Sequence, residues 1–356
     1  MGKYCIFMGG RSTEHDASLL SYQGILKSHL NPLHTKIELM KVYYISRDGE
    51  VFLHDKSPFP LMEDELLQGE KLNVSKFIEM LCKDPTYQLN LLHGNEGEDG
   101  SWQGLADILD LNGSYESVFA SSLTMNKWAQ SILATSICQP ELLIPRTWKV
   151  SESDDDTFLK QIIFELKGKE CVIKPNKMGA SHFTETYKDI NLEKLKEIKE
   201  NILKYDTHVI IQEFIKGIEY TVGCISVNNK LEILPIIEAK TKRNFLGHTE
   251  KHRKGHIDIR VIFDKKDLFD QLKRITEQLF IAFELSFMCR FDFIVDSSGS
   301  IYFLEGNSIP GLMSGSAFTK MLHESNFTFE DFLLFHIKSG ENMEKIKKKL
   351  IYSIEH

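Results

Sequence analysis

No stretch of this 356-residue chain approaches the roughly 18 consecutive apolar residues of a membrane-spanning helix, so no membrane partner is expected. CxxC pairs are missing as well. The six cysteines (Cys5, Cys82, Cys138, Cys171, Cys224 and Cys289) stand far apart, mostly within apolar runs. That pattern speaks against a disulfide or zinc framework and for reduced core thiols, as in a cytoplasmic protein. Basic charge is not in excess: 43 Lys and Arg face 51 Asp and Glu, a net charge of −8. No nucleic-acid partner is expected, although a local cluster of cations would still serve a nucleotide. The dinucleotide fingerprint GxGxxG is absent, which disfavours hydride transfer, and the P-loop pattern GxxxxGKS or GxxxxGKT is absent too. Met1-Gly2-Lys3 is followed by only a short apolar run before Gly9, which is not the pattern of a secretory leader. There is no internal repeat. What is present is the composition of an ordinary globular protein, 42% apolar and 26% charged, long enough for two or three domains with cores.

The most informative stretch is residues 289–317, CRFDFIVDSSGSIYFLEGNSIPGLMSGSA. Arg290, Phe291, Asp292, Phe293 and Ile294 alternate with period two and predict a half-buried strand. Ser297-Ser298-Gly299 make a turn, and residues 301–304 predict the second strand of a hairpin. Glu305 and Asn307 are two apart and share a face. Antiparallel pairing would bring Asp292, Glu305 and Asn307 to one point; the alternative is a hairpin with solvated carboxylates. Hard oxygen donors of this kind suit Mg²⁺ (or Mn²⁺), usually shared with substrate phosphates. Pro310-Gly311 then turn the chain, and Ser314-Gly315-Ser316 form a small, polar, flexible run whose backbone N–H groups suit a carboxylate or an oxyanion. Metal ligands followed by an anion-binding turn suggest phosphate chemistry on a carboxylate.

Earlier segments supply a frame. Residues 4–8 are apolar and end in Gly9-Gly10, followed by Arg11-Ser12-Thr13-Glu14: a buried parallel strand, a glycine turn and a helix start, the opening of an open α/β sheet. Ligands bind beyond the carboxyl ends of such strands, where Glu14 would either meet a cationic amine or serve its own helix dipole. Residues 41–45 predict a strand, 46–50 a turn, 55–75 a long proline-broken excursion, and 88–92 a strand leading into HGNEGEDG with His93 at its end. Residues 170–174 (ECVIK) predict a strand ending in Lys174, followed by PNKMGASH, a small-residue loop able to grip phosphates through backbone N–H groups and an ammonium. Residues 209–215 predict another strand. Asp154-Asp155-Asp156 read as a solvated helix start. Leu268, Leu272, Ile275, Leu279 and Phe283 predict an amphipathic helix over 268–287. Residues 244–256 read as a lid. His248, His252 and His256 recur there every four residues, but Gly255 and the missing apolar periodicity argue against the rigid helix a zinc site would need. Residues 343–352 read as a solvated basic terminal helix.

Together these strings resemble the ATP-grasp ligases and, within them, the D-alanine–D-alanine ligase family. Arg290-x-Asp292, Glu305-x-Asn307 and Pro310-Gly311 match its C-terminal signature. GGRSTEHDASL, HGNEGEDG with Gln103-Gly104, SSLTMNK and Glu238-Ala239-Lys240 extend the likeness over nearly the whole chain. The resemblance implies a three-domain ATP-grasp architecture of α/β and α+β class. Residues 1–115 would form an N-terminal open α/β domain, 116–215 a central subdomain, and 216–356 a C-terminal subdomain with the Mg²⁺ and substrate site, ATP lying between the last two. It also implies ligation of two amino acids through an acylphosphate, with ADP and phosphate released, in peptidoglycan biosynthesis, by a cytoplasmic homodimer joined through its N-terminal domain.

The same resemblance assigns roles. Glu14 would hold the first substrate's amine, with His93 beside its carboxylate. Arg290 and the Gly311 amide would stabilise the tetrahedral oxyanion, and Ser316 with Ala317 would hold the second carboxylate. Lys127, Lys174 and Lys240 would bind phosphates, with Ser181 in the phosphate loop. Gln212, Phe214, Ile215 and Leu304 would belong to the nucleotide site, and Glu219 would hold the ribose. Asp292, Glu305 and Asn307 would hold the metal. Departures are also present. Ala180 replaces a serine that ties the loop to the active-site glutamate, Phe183 a glycine, Gln212 a glutamate, and Thr241 a tyrosine or lysine beside the second substrate. They leave open a ligase of the same family with other amino-acid or amine substrates in small-molecule biosynthesis. The intact metal ligands and phosphate lysines weigh against a non-catalytic ATP-binding regulator.

Overall fold

The computed structural model describes residues 2–29, 36–57, 59–179, 183–227, 230–241, 257–262 and 265–342, and three sheets organise them. The first holds β1 (Gly2–Gly9), β2 (Ile37–Ile45), β3 (Val51–Asp55), β4 (Glu70–Leu72) and β5 (Tyr87–Asn90) in the order β4-β3-β2-β1-β5. β1 runs parallel to both β2 and β5, which is why its sequence is apolar almost throughout rather than alternating. Gly9 and Gly10 then take φ of 91° and 97°, and a Cβ on Gly9 would lie 2.1 Å from the Ile45 carbonyl oxygen. That turn delivers Glu14 to the start of the helix His15–Gly24.

Two expectations need correction here. Residues 55–75 are not a structureless excursion: they contain the short helix Glu63–Leu66 and the edge strand β4, which pairs antiparallel with β3. β4 is three residues, two of them charged, too short to show a period of its own. The strand expected over 88–92 ends at Asn90, whose side chain accepts a hydrogen bond from the Leu92 N–H and bends the chain away from the ladder.

The second sheet is antiparallel, with β6 (Thr147–Val150), β7 (Glu170–Pro175), β8 (Glu185–Lys188) and β9 (Val209–Glu213) in the order β6-β9-β7-β8. Its core includes Leu159 and Ile162 of the helix Asp156–Glu165 and Ile198 and Ile202 of the helix Leu192–Leu203. Asp155 caps the first of these by accepting from the Phe158 N–H, so the acid run does start a helix. β9 ends two residues before the expected 215, leaving Phe214 and Ile215 in the link to the next sheet.

The third sheet comprises β10 (Gly217–Val227), β11 (Lys230–Ile233), β12 (Ile237–Thr241), β13 (Ile257–Val261), β14 (Met288–Asp296) and β15 (Ile301–Asn307). Its order is β13-β12-β10-β14-β15, with β11 on β10. The amphipathic helix is Lys266–Ala282, with Leu272, Ile275 and Leu279 fully buried. It stops short of 287 because Glu284 takes a left-handed φ of 55°. Tyr4, Ile6 and Met8 of the first sheet share one core with Ile225, Met288, Phe318 and Phe332, so the first and third sheets are locked together. All six cysteines are free, and Cys82 alone among them is exposed. Among the described residues no helix is long and apolar enough to cross a membrane.

Glu116 pins this junction. Buried in the segment before the helix Val118–Met125, it accepts from the Ser286 N–H and hydroxyl and from the Phe287 N–H, at 2.7, 2.8 and 2.8 Å. Burial outweighs these bonds and pushes its carboxyl up to about 6. Glu116→Ala leaves the buried Phe287 N–H and the part-buried Ser286 N–H unpaired and is expected to cost about 2 kcal/mol, read as a lower urea midpoint.

Candidate active site

The hairpin of β14 and β15 places the carboxylates, and it does so through an irregularity. Phe293 pairs with Phe303, but Asp292 pairs with Glu305, so Leu304 is an extra residue bulged from β15. In an even register Asp292 would oppose Leu304, and Glu305 would turn to the opposite face, where Phe291 and Phe303 are buried. The bulge instead puts Glu305 across from Asp292 and Asn307 across from Arg290. All four polar side chains thus share one face. Gly306, between the last two, faces the core; a Cβ there would lie 2.7 Å from the Phe291 ring.

Partners of both signs hold this face. The Arg290 Nη2 donates to Asp292 Oδ2 at 2.9 Å and lies 3.9 Å from Glu305. Its Nε is buried and finds no hydrogen-bond partner among the described residues. The Thr221 hydroxyl of β10 donates to the other Asp292 oxygen at 2.9 Å. Glu219, two residues before Thr221, stands on the same face of β10 and bears electrostatically on Arg290. Asn307 Oδ1 accepts from the Ile309 N–H at 2.9 Å.

Lys127 is the first residue of the helix Lys127–Cys138, which Asn126 caps. Its Nζ donates to the Met178 carbonyl at 2.6 Å and lies 3.8 Å from Glu305. Asn176 fixes that helix start from below, giving its carbonyl to the Lys127 N–H and its side-chain oxygen to the Trp128 N–H. Lys174, buried, sits on β7 just before this loop. Gln212, buried on β9, donates its amide to Thr147 at 3.0 Å.

Glu14 meets the same loop from the first sheet. It makes no capping bond to its own helix; Oε1 accepts from the Gly179 N–H at 3.1 Å. A Cβ on Gly179 would stand 2.3 Å from that oxygen, so the approach requires glycine. Desolvation and the neighbouring Glu98 push the Glu14 carboxyl up to about 7, against the pull of His93 and Lys127. His93 is buried, with Nδ1 3.3 Å from Glu98 and Nε2 3.0 Å from the Ser21 hydroxyl. Burial disfavours its charged form, but the carboxylates of Glu98 and Glu14 prevail and its pKa is raised.

Beyond the hairpin, Ser316 caps the helix Ala317–His323, accepting from the Thr319 N–H and donating to the Gly311 carbonyl at 2.7 Å. The expected flexible run is therefore an ordered helix entry, with Gly315 at φ 83°. The structure thus links Glu14, His93, Lys127, Arg290, Asp292, Glu305 and Asn307 through one set of contacts, with Gly311, Ser316 and Ala317 on the turn that follows β15. Phe214, Ile215 and Leu304 lie beside β9 or on the hairpin. Lys240 and Thr241 close β12, and their side chains lie outside the description. Ser181, residues 244–256 with His248, His252 and His256, and the 343–352 tail lie outside the described residues. Sequence reasoning passed over Thr221, Asn176 and Ser21. The last had a signal: Glu14, Ser18 and Ser21 repeat at helical spacing on a buried face that composition alone would make apolar.

The chain is similar to known proteins along most of its length. The profile described as D-ala D-ala ligase N-terminus matches residues 3–114, and that described as D-ala D-ala ligase C-terminus matches residues 140–337. It is 30% identical over 306 residues to D-alanine–D-alanine ligase B of Clostridium perfringens, covering 85% of this chain and 97% of that protein. It is 27% identical over 328 residues to the D-alanine–D-alanine ligase of Aquifex aeolicus, covering 91% and 96%. Among solved structures, the VanG D-Ala:D-Ser ligase from Enterococcus faecalis superposes with a TM-score of 0.79 at 22% identity, over 95% of this chain and 99% of that one. The D-alanine–D-alanine ligase from Bacillus anthracis complexed with ATP gives 0.68 at 20%, over 96% and 98%. At those identities the two structures speak for the fold.

Deleting Leu304 removes the bulge and should leave an even ladder in which Phe303 still faces Phe293 and Glu305 still faces Asp292, so the donor face is kept. The expected outcome is that Mn²⁺ binding in the presence of ATP, followed by electron paramagnetic resonance, survives the deletion, whereas Glu305→Leu, which keeps the residue count and removes the donor, loses the ion.

Proposed function

Because this chain belongs to the D-alanine–D-alanine ligase family, we propose that it joins two D-alanine molecules at the expense of ATP. The observation that carries the reading is the single face on which Asp292, Glu305, Asn307 and Arg290 stand, with Lys127 beside it and Glu14 opposite. A free carboxylate is a poor electrophile because its leaving group would be oxide. The first substrate's carboxylate oxygen therefore takes the terminal phosphoryl group of ATP, and ADP leaves. The second substrate's amine nitrogen then bonds to the acyl carbon and gives up a proton, and phosphate departs with the C–O electron pair. Reactions of this type depend on positioning and charge neutralisation more than on covalent help from the protein.

The residues fit the proposed parts. Two carboxylates and one amide oxygen are hard donors, too few to cage an ion alone, which is the arrangement Mg²⁺ takes when phosphates complete its shell. Among the described residues no cluster of three or more His, Cys, Asp or Glu could hold a metal by itself. Bound there, Mg²⁺ would neutralise phosphate charge. Lys127, Lys174 and Lys240 would meet the phosphates, Glu219 the ribose hydroxyls, and Gln212 with the 214–215 backbone the adenine. The Arg290 Nε–H, which has no hydrogen-bond partner among the described residues, and the Gly311 N–H would face the oxyanion. Ser316 and Ala317, at a helix entry, would meet the second carboxylate.

An amino-acid panel scored by phosphate release and product mass tests the reading; D-alanyl-D-alanine is the expected product. Preference for a different pair would move the substrate assignment, and ATP binding without turnover on any pair would overturn the ligase. Glu14 adds a pH signature. An ammonium needs the carboxylate, which forms as pH rises through about 7, so kcat/KM for the first amino acid should climb across that range. In Glu14→Gln the rise should vanish and kcat/KM drop by about 100-fold. A homodimer through the N-terminal segment is supported by the exposed Leu20, Phe59 and Met62 of the first sheet's flank. Light scattering should give twice the chain mass, and Phe59→Glu should halve it.

A further inference from the structure

Ser21 belongs to neither substrate in the assignments above, yet its hydroxyl lies where their two sites meet. It is fully buried on the helix His15–Gly24, two turns beyond Glu14. Ser18, between them, is accounted for: its oxygen accepts from the Gly9 N–H at 2.8 Å and closes the glycine turn. The Ser21 oxygen lies 3.0 Å from His93 Nε2 and accepts from the Leu312 N–H at 3.2 Å. A hydroxyl offers one proton and two lone pairs. Leu312 takes one lone pair, and the histidine either receives the proton or donates to the second lone pair. One atom therefore ties the residue assigned to the first substrate to the residue that follows Gly311, whose amide is assigned to the oxyanion.

The same helix touches the turn a second time. A Cβ on Gly24 would lie 2.4 Å from the Leu312 carbonyl oxygen and 2.8 Å from Met313 Cα, so the helix and the turn are in backbone contact. Leu312 is thus bonded at its N–H by Ser21 and closely approached at its C=O by Gly24. We propose that Ser21 is a positioning residue that sets the 310–316 turn, and with it the Gly311 amide and the second-substrate subsite, in register with His93. This rests on the ligase reading above. In a reaction between two bound molecules, a misplacement of this turn by a fraction of an ångström falls on the amine attack while leaving ATP binding alone.

Ser21→Ala removes the shared hydroxyl. The expected result is a fall of about 100-fold in kcat and a rise of about tenfold in KM for the acceptor amino acid, with KM for ATP within about twofold of the wild type. Ser21→Thr keeps the hydroxyl and should recover most of kcat. Gly24→Ala presses on Leu312 without touching His93 and should raise the acceptor KM by itself. Wild-type kcat and acceptor KM in Ser21→Ala would overturn the inference. So would a loss shared by ATP affinity and melting temperature that threonine does not repair, since that marks a merely structural serine. A wild-type enzyme that makes no dipeptide from any amino-acid pair would remove the ligase reading itself, and this inference with it.

Discussion

The bulge at Leu304 on β15 decides whether Glu305 stands beside Asp292, and the electrostatics of the site follow from it. Opposed across a hairpin, Asp292 and Glu305 would repel. Arg290 beside both and Lys127 beside Glu305 balance them, and the Thr221 hydroxyl takes the remaining Asp292 oxygen. Such half-buried charge is a poor source of stability, because desolvation consumes most of the Coulomb gain. The surroundings supply what the cluster does not. Phe291, Phe293 and Phe303 fill the opposite face, Gly306 leaves room for the Phe291 ring, and Gln130 accepts the Gly306 N–H. The hairpin is apolar and tightly packed on one side so that it can be charged on the other.

A second constraint joins the sheets. Glu14 comes from the first, Gly179 from the loop after β7 in the second, and Glu305 from the third, with Lys127 reaching both of the last two segments. The Glu14 contact also bears on the serine missing at position 180. One residue earlier, a backbone N–H meets the carboxylate, and glycine there is what allows the approach. A main-chain donor is indifferent to side-chain replacement, so the tie between loop and glutamate survives a substitution that would remove a hydroxyl.

What could be read from the chain beforehand divides along physical lines. The parallel strand of residues 4–8 and ECVIK were legible as apolar runs, and the hairpin strands and the Leu272–Ile275–Leu279 stripe because each carries its own period. β4 was not, since three residues with Glu70 and Lys71 have no period to show. The helix end at Ala282 depends on a left-handed Glu284, an uncommon choice that sequence does not flag. The candidate site was legible as a set of residue types, and the shared face of Glu305 and Asn307 followed from their spacing. That Asp292 opposes Glu305 did not follow, because the bulge at Leu304 is a property of the pairing and not of either strand. Thr221 was invisible for the same reason, and Ser21 showed only as a member of a polar repeat: a lone hydroxyl acquires meaning from its partner, here Asp292 or His93 with Leu312.

Phe183 shows how a bulky residue is held in a conformation that glycine adopts freely. Where a glycine is usual, this chain places a phenylalanine, and its backbone nonetheless takes φ of 54°, a left-handed conformation that costs a bulky residue about 1–2 kcal/mol. Its ring stacks on Tyr205, centroids 5.3 Å apart and planes 23° from parallel, an arrangement worth about 0.5–1.5 kcal/mol. The two figures are comparable, so the strain is largely offset outside the cleft by a contact a glycine could not make. What sets this position in the chain is therefore a backbone conformation compensated by a ring contact. The same logic separates Phe183 from Gly179. There the demand is for empty space against Glu14, and no side chain can supply it.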